Sequence, residues 1–169
     1  MRELLVVVDM QTDFVDGALG TKEAQNIVEN VVSKVKSAKE CGKDIIFTMD
    51  THQENYSETQ EGKKLPIPHC IRDTEGWQIR QEISDLLTEA PVDKVTFGSR
   101  ELVKKLEQIQ EETSIESITL IGLCTDICVI SNAMLCKAFL PEVPVQVDAS
   151  CCAGAVSYTH LRAHETLSD

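Results

Sequence analysis

The apolar run Leu4-Leu5-Val6-Val7-Val8 continues without a polar interruption and then stops at Asp9. A strand with one wet face alternates apolar and polar residues. An unbroken β-branched run instead reads as a strand covered on both faces, which is the habit of parallel sheets. Parallel neighbours need a crossover, and the next segment provides it. From the cap Thr21, the residues Ala24, Ile27, Val28, Val31, Val32, Val35 and Ala38 recur at helical spacing, and Gly42 follows as a stop. Asp44–Met49 then reads as a second strand, again ending at an acid, Asp50. A strand, helix, strand unit of this length implies parallel pairing with a right-handed crossover.

The same grammar recurs further on. Residues 51–76 carry no period and contain Gly62, Pro66, Pro68 and Gly76, so a long irregular loop is expected there. Ile79, Ile83, Leu86 and Leu87 suggest a short helix, and Asp93–Thr96 a third strand. Ser99 caps a helix whose inner face is Leu102, Val103, Leu106 and Ile109. Ser117–Leu123 reads as strand four, Cys128 to Phe139 as a helix, and Val145–Val147 as strand five. The expected fold class is therefore α/β, a three-layer α/β/α domain with an open, mostly parallel central sheet. In such sheets ligands bind beyond the C-terminal strand ends.

Charge and cysteine usage narrow the function classes. The 169 residues hold 28 Asp and Glu against 16 Lys and Arg, a net charge of −12. That field repels phosphate backbones and anionic bilayers, so neither nucleic acid nor a membrane is an expected partner. No apolar run approaches the roughly 20 residues of a membrane span, and no secretory signal opens the chain. Seven cysteines without paired CxxC knuckles fit neither a disulfide framework nor a zinc ribbon. A cytoplasmic protein is expected.

Polar groups of chemical interest gather where the strands end. Asp9 follows strand one, Lys94 lies beside strand three, and Cys128 opens the helix after strand four. A thiol at a helix N-terminus meets unpaired N–H groups and the positive end of the dipole. Both effects lower its pKa, and a neighbouring Lys94 would lower it further. Asp9 could take the thiol proton and later protonate a leaving amine. A second constellation comprises Asp50, His52 and His69. Residues two apart in extended chain face one side, so Asp50 and His52 can converge on one ion while His69 returns from the loop. This open oxygen and nitrogen set suits one divalent metal ion, Zn²⁺, Mn²⁺ or Fe²⁺. Glu58 and Glu61 are further donors, Glu61 the better placed, and Cys70 is a weaker one. No G-x-G-x-x-G, Walker or G-x-S-x-G motif is present.

Three ordered segments, Val7-Val8-Asp9-Met10-Gln11-Thr12-Asp13-Phe14, Lys94-Val95-Thr96-Phe97-Gly98-Ser99 and Gly122-Leu123-Cys124-Thr125-Asp126-Ile127-Cys128-Val129, together resemble the isochorismatase-like cysteine hydrolases, nearest their nicotinamidase branch. The resemblance runs from residue 3 to about 154 and implies a Rossmann-like α/β/α fold. It implies Asp9, Lys94 and Cys128 as a catalytic triad, a cis peptide at Leu123–Cys124, and an oxyanion hole from the Cys124 and Cys128 N–H groups. It assigns Asp50, His52 and His69 to the metal, with Glu61 as a further ligand. The implied substrate is a small-molecule amide, hydrolysed through a Cys128 thioester in a reaction that feeds pyridine-nucleotide (NAD) salvage. Phe14 and Leu123 are expected to line the pocket. Family members often carry an aromatic ring just before the Pro-His element. Leu65 and Pro66 stand there instead, with Trp77 or Tyr56 as candidate replacements.

Two rival readings stand beside a nicotinamidase. One is a related amidase acting on a ureido or carbamoyl compound. The other is a non-enzymatic thiol redox sensor or metal-binding protein using Cys124, Cys128, Cys151 and Cys152. True isochorismatases lack the nucleophilic thiol, so Cys128 speaks against that branch. A homo-oligomer is compatible with all of these. Residues 156–169 resemble translated adapter or vector sequence, with a frayed natural tail as the alternative. The expected division is a hydrolase domain at 1–155, without the helix that follows the Cys152-Ala153-Gly154 turn in the family, and a non-native tail at 156–169.

Overall fold

A computed structural model describes residues 1–155, and the expected tail lies outside the described residues. Strand β1 (Arg2–Val8) leads into a single turn, α1 (Thr12–Val15), then α2 (Lys22–Asn26), α3 (Val28–Glu40) and β2 (Asp44–Asp50). The segment expected to be an irregular loop contains a 3-10 turn at Tyr56–Glu58, the short helix α4 (Gln60–Lys64) and a second 3-10 turn at Glu75–Trp77. It is followed by α5 (Gln81–Ser84), β3 (Val92–Lys94), α6 (Arg100–Glu112) and β4 (Ile115–Leu123). A π-wound turn at Thr125–Val129 opens α7 (Ile130–Phe139), and β5 (Val145–Ala153) closes the described chain.

The strands form one five-stranded sheet in the order β3-β2-β1-β4-β5, and every pairing is parallel. β1 is central, which explains its unbroken apolar run. Its successive side chains serve opposite layers: Leu5 and Val7 join a core with Val31, Val35 and Ile83, while Leu4, Val6 and Val8 join one with Leu102, Leu106 and Ala133. The helices α2, α3 and α5 therefore cover one face, and α6 and α7 the other. Each such side chain, once fully buried, stabilises the fold by about 1.5–3 kcal/mol.

Several expected boundaries shift. The single crossover helix divides at Ile27 into α2 and α3; the Thr21 hydroxyl caps α2 by accepting from the Ala24 N–H at 3.0 Å. β3 starts and ends earlier than expected because Lys94 is its last paired residue, opposite Asp50. β5 runs well beyond Val147, with a register shift between Leu120 and Gly122 of its partner strand that the alternating pattern did not reveal. No helix among the described residues is long and apolar enough to cross a membrane.

The order places the site. Chain direction reverses its progress across the sheet between β1 and β4, and such a switch point leaves a crevice at the C-terminal strand ends. Gly122 lets those two strands approach there. Its φ is +116°, and a Cβ at that position would lie 2.1 Å from the Val8 carbonyl oxygen.

Candidate active site

Strand register brings the first group of residues together. Val8 pairs with Thr48 and with Gly122, and Asp50 pairs with Lys94, so the residues just past these positions share one edge. Asp9 takes a left-handed conformation (φ 49°), turning the chain sharply out of β1. Its Oδ1 accepts from the Thr48 hydroxyl at 2.7 Å. Its Oδ2 lies 2.7 Å from Lys94 Nζ, yet it has no well-directed hydrogen bond from any described residue. One lone pair on a fully buried carboxylate is thus available to a proton.

Lys94 is the hub. Its Nζ donates to Thr96 O at 3.0 Å and to Cys128 Sγ at 3.3 Å, and sits 3.3 Å from Asp50 Oδ1. Burial opposes an ammonium here, but the charges of Asp9 and Asp50 overcome it and hold the Lys94 pKa well above its ordinary value. Asp9 is pushed up by burial and by Asp50, while Lys94 pulls it down. Burial likewise pushes the Cys128 thiol well above its ordinary range, with Asp9 adding to the effect and Lys94 opposing it. This corrects the expectation of a thiol with a lowered pKa. The sequence pattern located the helix start and the lysine but not the desolvation by surrounding walls, which outweighs both. At rest, the proton belongs on sulfur.

The second group also assembles. Ligand-capable atoms of Asp50, His52, Glu61 and His69 all lie within 4.8 Å of one another. His52 Nε2 is 2.8 Å from Asp50 Oδ2 and 3.7 Å from Glu61 Oε2. His69 Nε2 is 3.6 Å from Asp50 Oδ2 and 3.9 Å from Glu61 Oε1. A divalent ion with bonds of about 2.1 Å needs neighbouring ligands roughly 3.0–3.4 Å apart, so small side-chain adjustments suffice. The ring of His69 supports the same reading. Its Nδ1–H donates to Ile67 O at 2.8 Å, which leaves the Nε2 lone pair aimed at two carboxylates, an arrangement that a cation between them satisfies. Burial works against the Asp50 charge, but the hydrogen bond from His52 and the charge of Lys94 hold its carboxyl well below the usual range. Glu58 is exposed and stands apart from the cluster, which leaves Glu61 as the additional donor.

Between the two groups is a cavity of about 120 Å³. Asp50, Glu61, His69, Cys124 and Cys128 line its polar side, and Phe14, Leu19, Leu65, Phe97 and Ile127 its apolar side. Phe14 stands at the cavity wall, where it was expected. Three other expected pocket residues do not. Tyr56 is buried behind the imidazoles, with its ring 4.8 Å from His52 and 5.1 Å from His69, and its hydroxyl donates to Leu65 O at 2.8 Å. Trp77 donates from Nε1 to Thr51 Oγ1 at 2.8 Å and lies under Arg72, outside the cavity lining. Leu123 points into the core layer instead, because alternation along β4 aims it at the helices.

Sequence reasoning missed the supporting residues. Gln11 clamps the Asp50 peptide, donating to its carbonyl and accepting from its N–H, each at 2.8 Å. Phe97 forms a cavity wall. Gln11 and Phe97 stand inside the motif segments, but spacing alone assigned them no contact. The peptide between Leu123 and Cys124 is cis, as the resemblance implied.

The α/β/α domain thus sets a thiol, an ammonium and a carboxylate beside a cluster of side chains that could hold a metal ion. The isochorismatase domain family matches residues 3–169, and the chain belongs to that family of hydrolases. A Bacillus subtilis (strain 168) relative, described as isochorismatase family protein PncA, is 29% identical over 147 residues, covering 79% of this chain and 78% of that protein. The zinc complex of the Pyrococcus horikoshii pyrazinamidase superposes with a TM-score of 0.77 at 27% identity, covering 99% of this chain and 95% of that one. The pyrazinamidase/nicotinamidase of Streptococcus mutans UA159 gives 0.78 at 26% identity, covering 98% and 94%.

Proposed function

We propose that the protein is a metal-dependent cysteine amidohydrolase that converts nicotinamide and water to nicotinate and ammonia. The observation that carries this reading is the 3.3 Å contact of Cys128 Sγ with Lys94 Nζ, itself 2.7 Å from Asp9, at the wall of a small cavity. The Asp9 carboxylate takes the thiol proton as sulfur attacks the carboxamide carbon. The backbone N–H groups of Cys124 and Cys128 hold the tetrahedral oxyanion, a contribution of about 3–4 kcal/mol per donor in well-studied hydrolases. Asp9 then passes its proton to nitrogen, the C–N bond breaks, ammonia leaves and a thioester remains. Water adds to the thioester, giving its proton to Asp9. The C–S bond breaks, and the proton returns to sulfur. Lys94 stabilises negative charge on the thiolate in both halves. Asp50, His52, Glu61 and His69 would hold a divalent ion, which supplies a positive charge and a coordination position for a ring nitrogen.

Cavity chemistry supports a neutral amide. Asp50 and Glu61 line it, and no Lys or Arg does among the described residues. A carbamoyl substrate bearing its own carboxylate would find no side-chain counter-charge in that lining beyond the ion the acids would hold. The volume, far below the roughly 300–1,000 Å³ of clefts for larger ligands, suits a single small ring. The sensor reading has less support. Cys151 and Cys152, neighbours on β5, alternate into opposite core layers, so that pair is split between the two faces of the sheet.

The test is ammonia release from nicotinamide by protein supplied with Zn²⁺, Mn²⁺ or Fe²⁺, beside Cys128→Ala. The variant should fold and bind metal as the parent does, with kcat lowered by about 10⁴-fold or more. Surviving turnover would remove the thioester from the mechanism. Folded parent that releases ammonia from another small amide, but not from nicotinamide, would keep the hydrolase and discard the substrate.

A further inference from the structure

We propose that Asn132, on the first turn of α7, is a positioning residue that holds the nucleophile and the loop bearing Phe97 in one register. The inference rests on Cys128 being the nucleophile. Asn132 is completely buried, and its amide bonds three partners from two separate segments, with both Nδ2 protons used. Its Nδ2 donates to Cys128 O at 2.8 Å and to Phe97 O at 3.1 Å, and its Oδ1 accepts from the Ser99 N–H at 2.9 Å. Two carbonyls and one N–H fix which end of the amide is nitrogen.

These bonds close a ring of contacts. Cys128 Sγ touches Lys94 Nζ, Lys94 Nζ donates to Thr96 O, and the following residues, Phe97 and Ser99, return through Asn132 to the Cys128 carbonyl. The ammonium and the thiol thus meet on one side of the ring, and Asn132 braces the other. Gly98 allows the loop to lie this close, since a Cβ there would be 2.5 Å from Leu135 Cδ1 of α7. Ser99 is tied in a second way, its hydroxyl accepting from the Leu102 N–H to start α6. Asn132 touches neither the cavity nor the reacting atoms, so it acts through Cys128 and Phe97.

The bond pattern separates two effects. The link to Cys128 O governs where sulfur sits, and the link to Phe97 O governs a wall against which substrate packs. In Asn132→Ala both are lost. In Asn132→Thr the single hydroxyl can donate to the carbonyl four residues back, Cys128 O, but has no second proton for Phe97 O. Kinetic constants for ammonia release and the rate of Cys128 modification by iodoacetamide, mapped by mass spectrometry at one fixed pH, distinguish these cases. For Asn132→Ala, kcat should fall about 10- to 100-fold, in parallel with a slower Cys128 modification, and KM should rise about fivefold. Asn132→Thr should restore kcat and Cys128 modification to within about threefold of the parent while KM stays about fivefold high. Parental kcat, KM and modification rate in folded Asn132→Ala would make Asn132 a structural residue only. Should the alanine variant fail to fold, parental kcat and KM in Asn132→Thr would overturn the proposal in the same way. A parent inactive on nicotinamide sinks the substrate assignment, and the iodoacetamide rates of parent and variants still decide the role of Asn132.

Discussion

The proton on Cys128 is held there by desolvation, and among the described residues the buried acceptor with an open lone pair in direct contact with Lys94 is Asp9 Oδ2. That assigns the pH dependence. Asp9 must be ionised to accept the proton, so kcat/KM should fall as pH drops through the Asp9 pKa, which burial raises above its ordinary 3.8. Lys94 stays charged beyond its ordinary 10.5, so it sets no alkaline limb at or below that pH. In Asp9→Asn the acid limb should vanish from the pH profile, and the residual rate should be about 10²–10⁴-fold lower. A variant that kept the limb would place the proton elsewhere. At this scale the reactive residues were legible, because each ends a strand and carries a chemistry few other residues supply. Electrostatics were not. The sign of the Cys128 shift depends on walls contributed by segments far apart in the chain. Asn132 was recoverable in principle, as a polar residue four positions from Cys128 on a face otherwise made of Val129, Ala133 and Cys136.

Among elements, the most constrained contact is the close approach of β4 to β1 at Gly122. Any side chain there meets both a left-handed φ and the Val8 carbonyl. Gly122→Ala should therefore cost about 3–5 kcal/mol in urea unfolding, and activity should fall with it because Cys124 and Asp9 flank the contact. A loss below about 1 kcal/mol would mean that the strands separate freely at this point. Strands and long helices were readable from apolar periodicity, since β1 and α6 each bury a continuous pattern. The short α4 was not, because Gln60–Lys64 offers no apolar stripe and owes its turn to the Thr59 cap, whose hydroxyl accepts from the Gly62 N–H at 3.0 Å. The same segment brings Glu61 to the cluster, so the donor was readable from the sequence but the turn that presents it was not.

For the molecule as a whole, the four converging ligands make metal content a stability variable. An ion that binds only the folded chain stabilises it by about 2.7 kcal/mol at a free concentration about 100 times its Kd. That corresponds to an increase of roughly 5–10 °C in Tm for a domain of this length. Thermal melts with and without Zn²⁺ should show such a rise for the parent and none for His52→Ala. Equal shifts in both would move binding away from this cluster. The charge of −12 adds a general attraction for cations, which a salt titration separates from site binding.

The strand order has a temporal meaning as well. Asp9, Asp50 and Lys94 all come from β1, β2 and β3 or the residue just past them, a set of neighbours in the sheet that precedes Cys128 in the chain. Ribosomal synthesis delivers the N-terminal half first. The ammonium and its carboxylates are therefore all synthesised before β4 emerges, and the sulfur is the last of the reactive groups to be added. An interrupted chain would hold the charges of the site without its reactive atom.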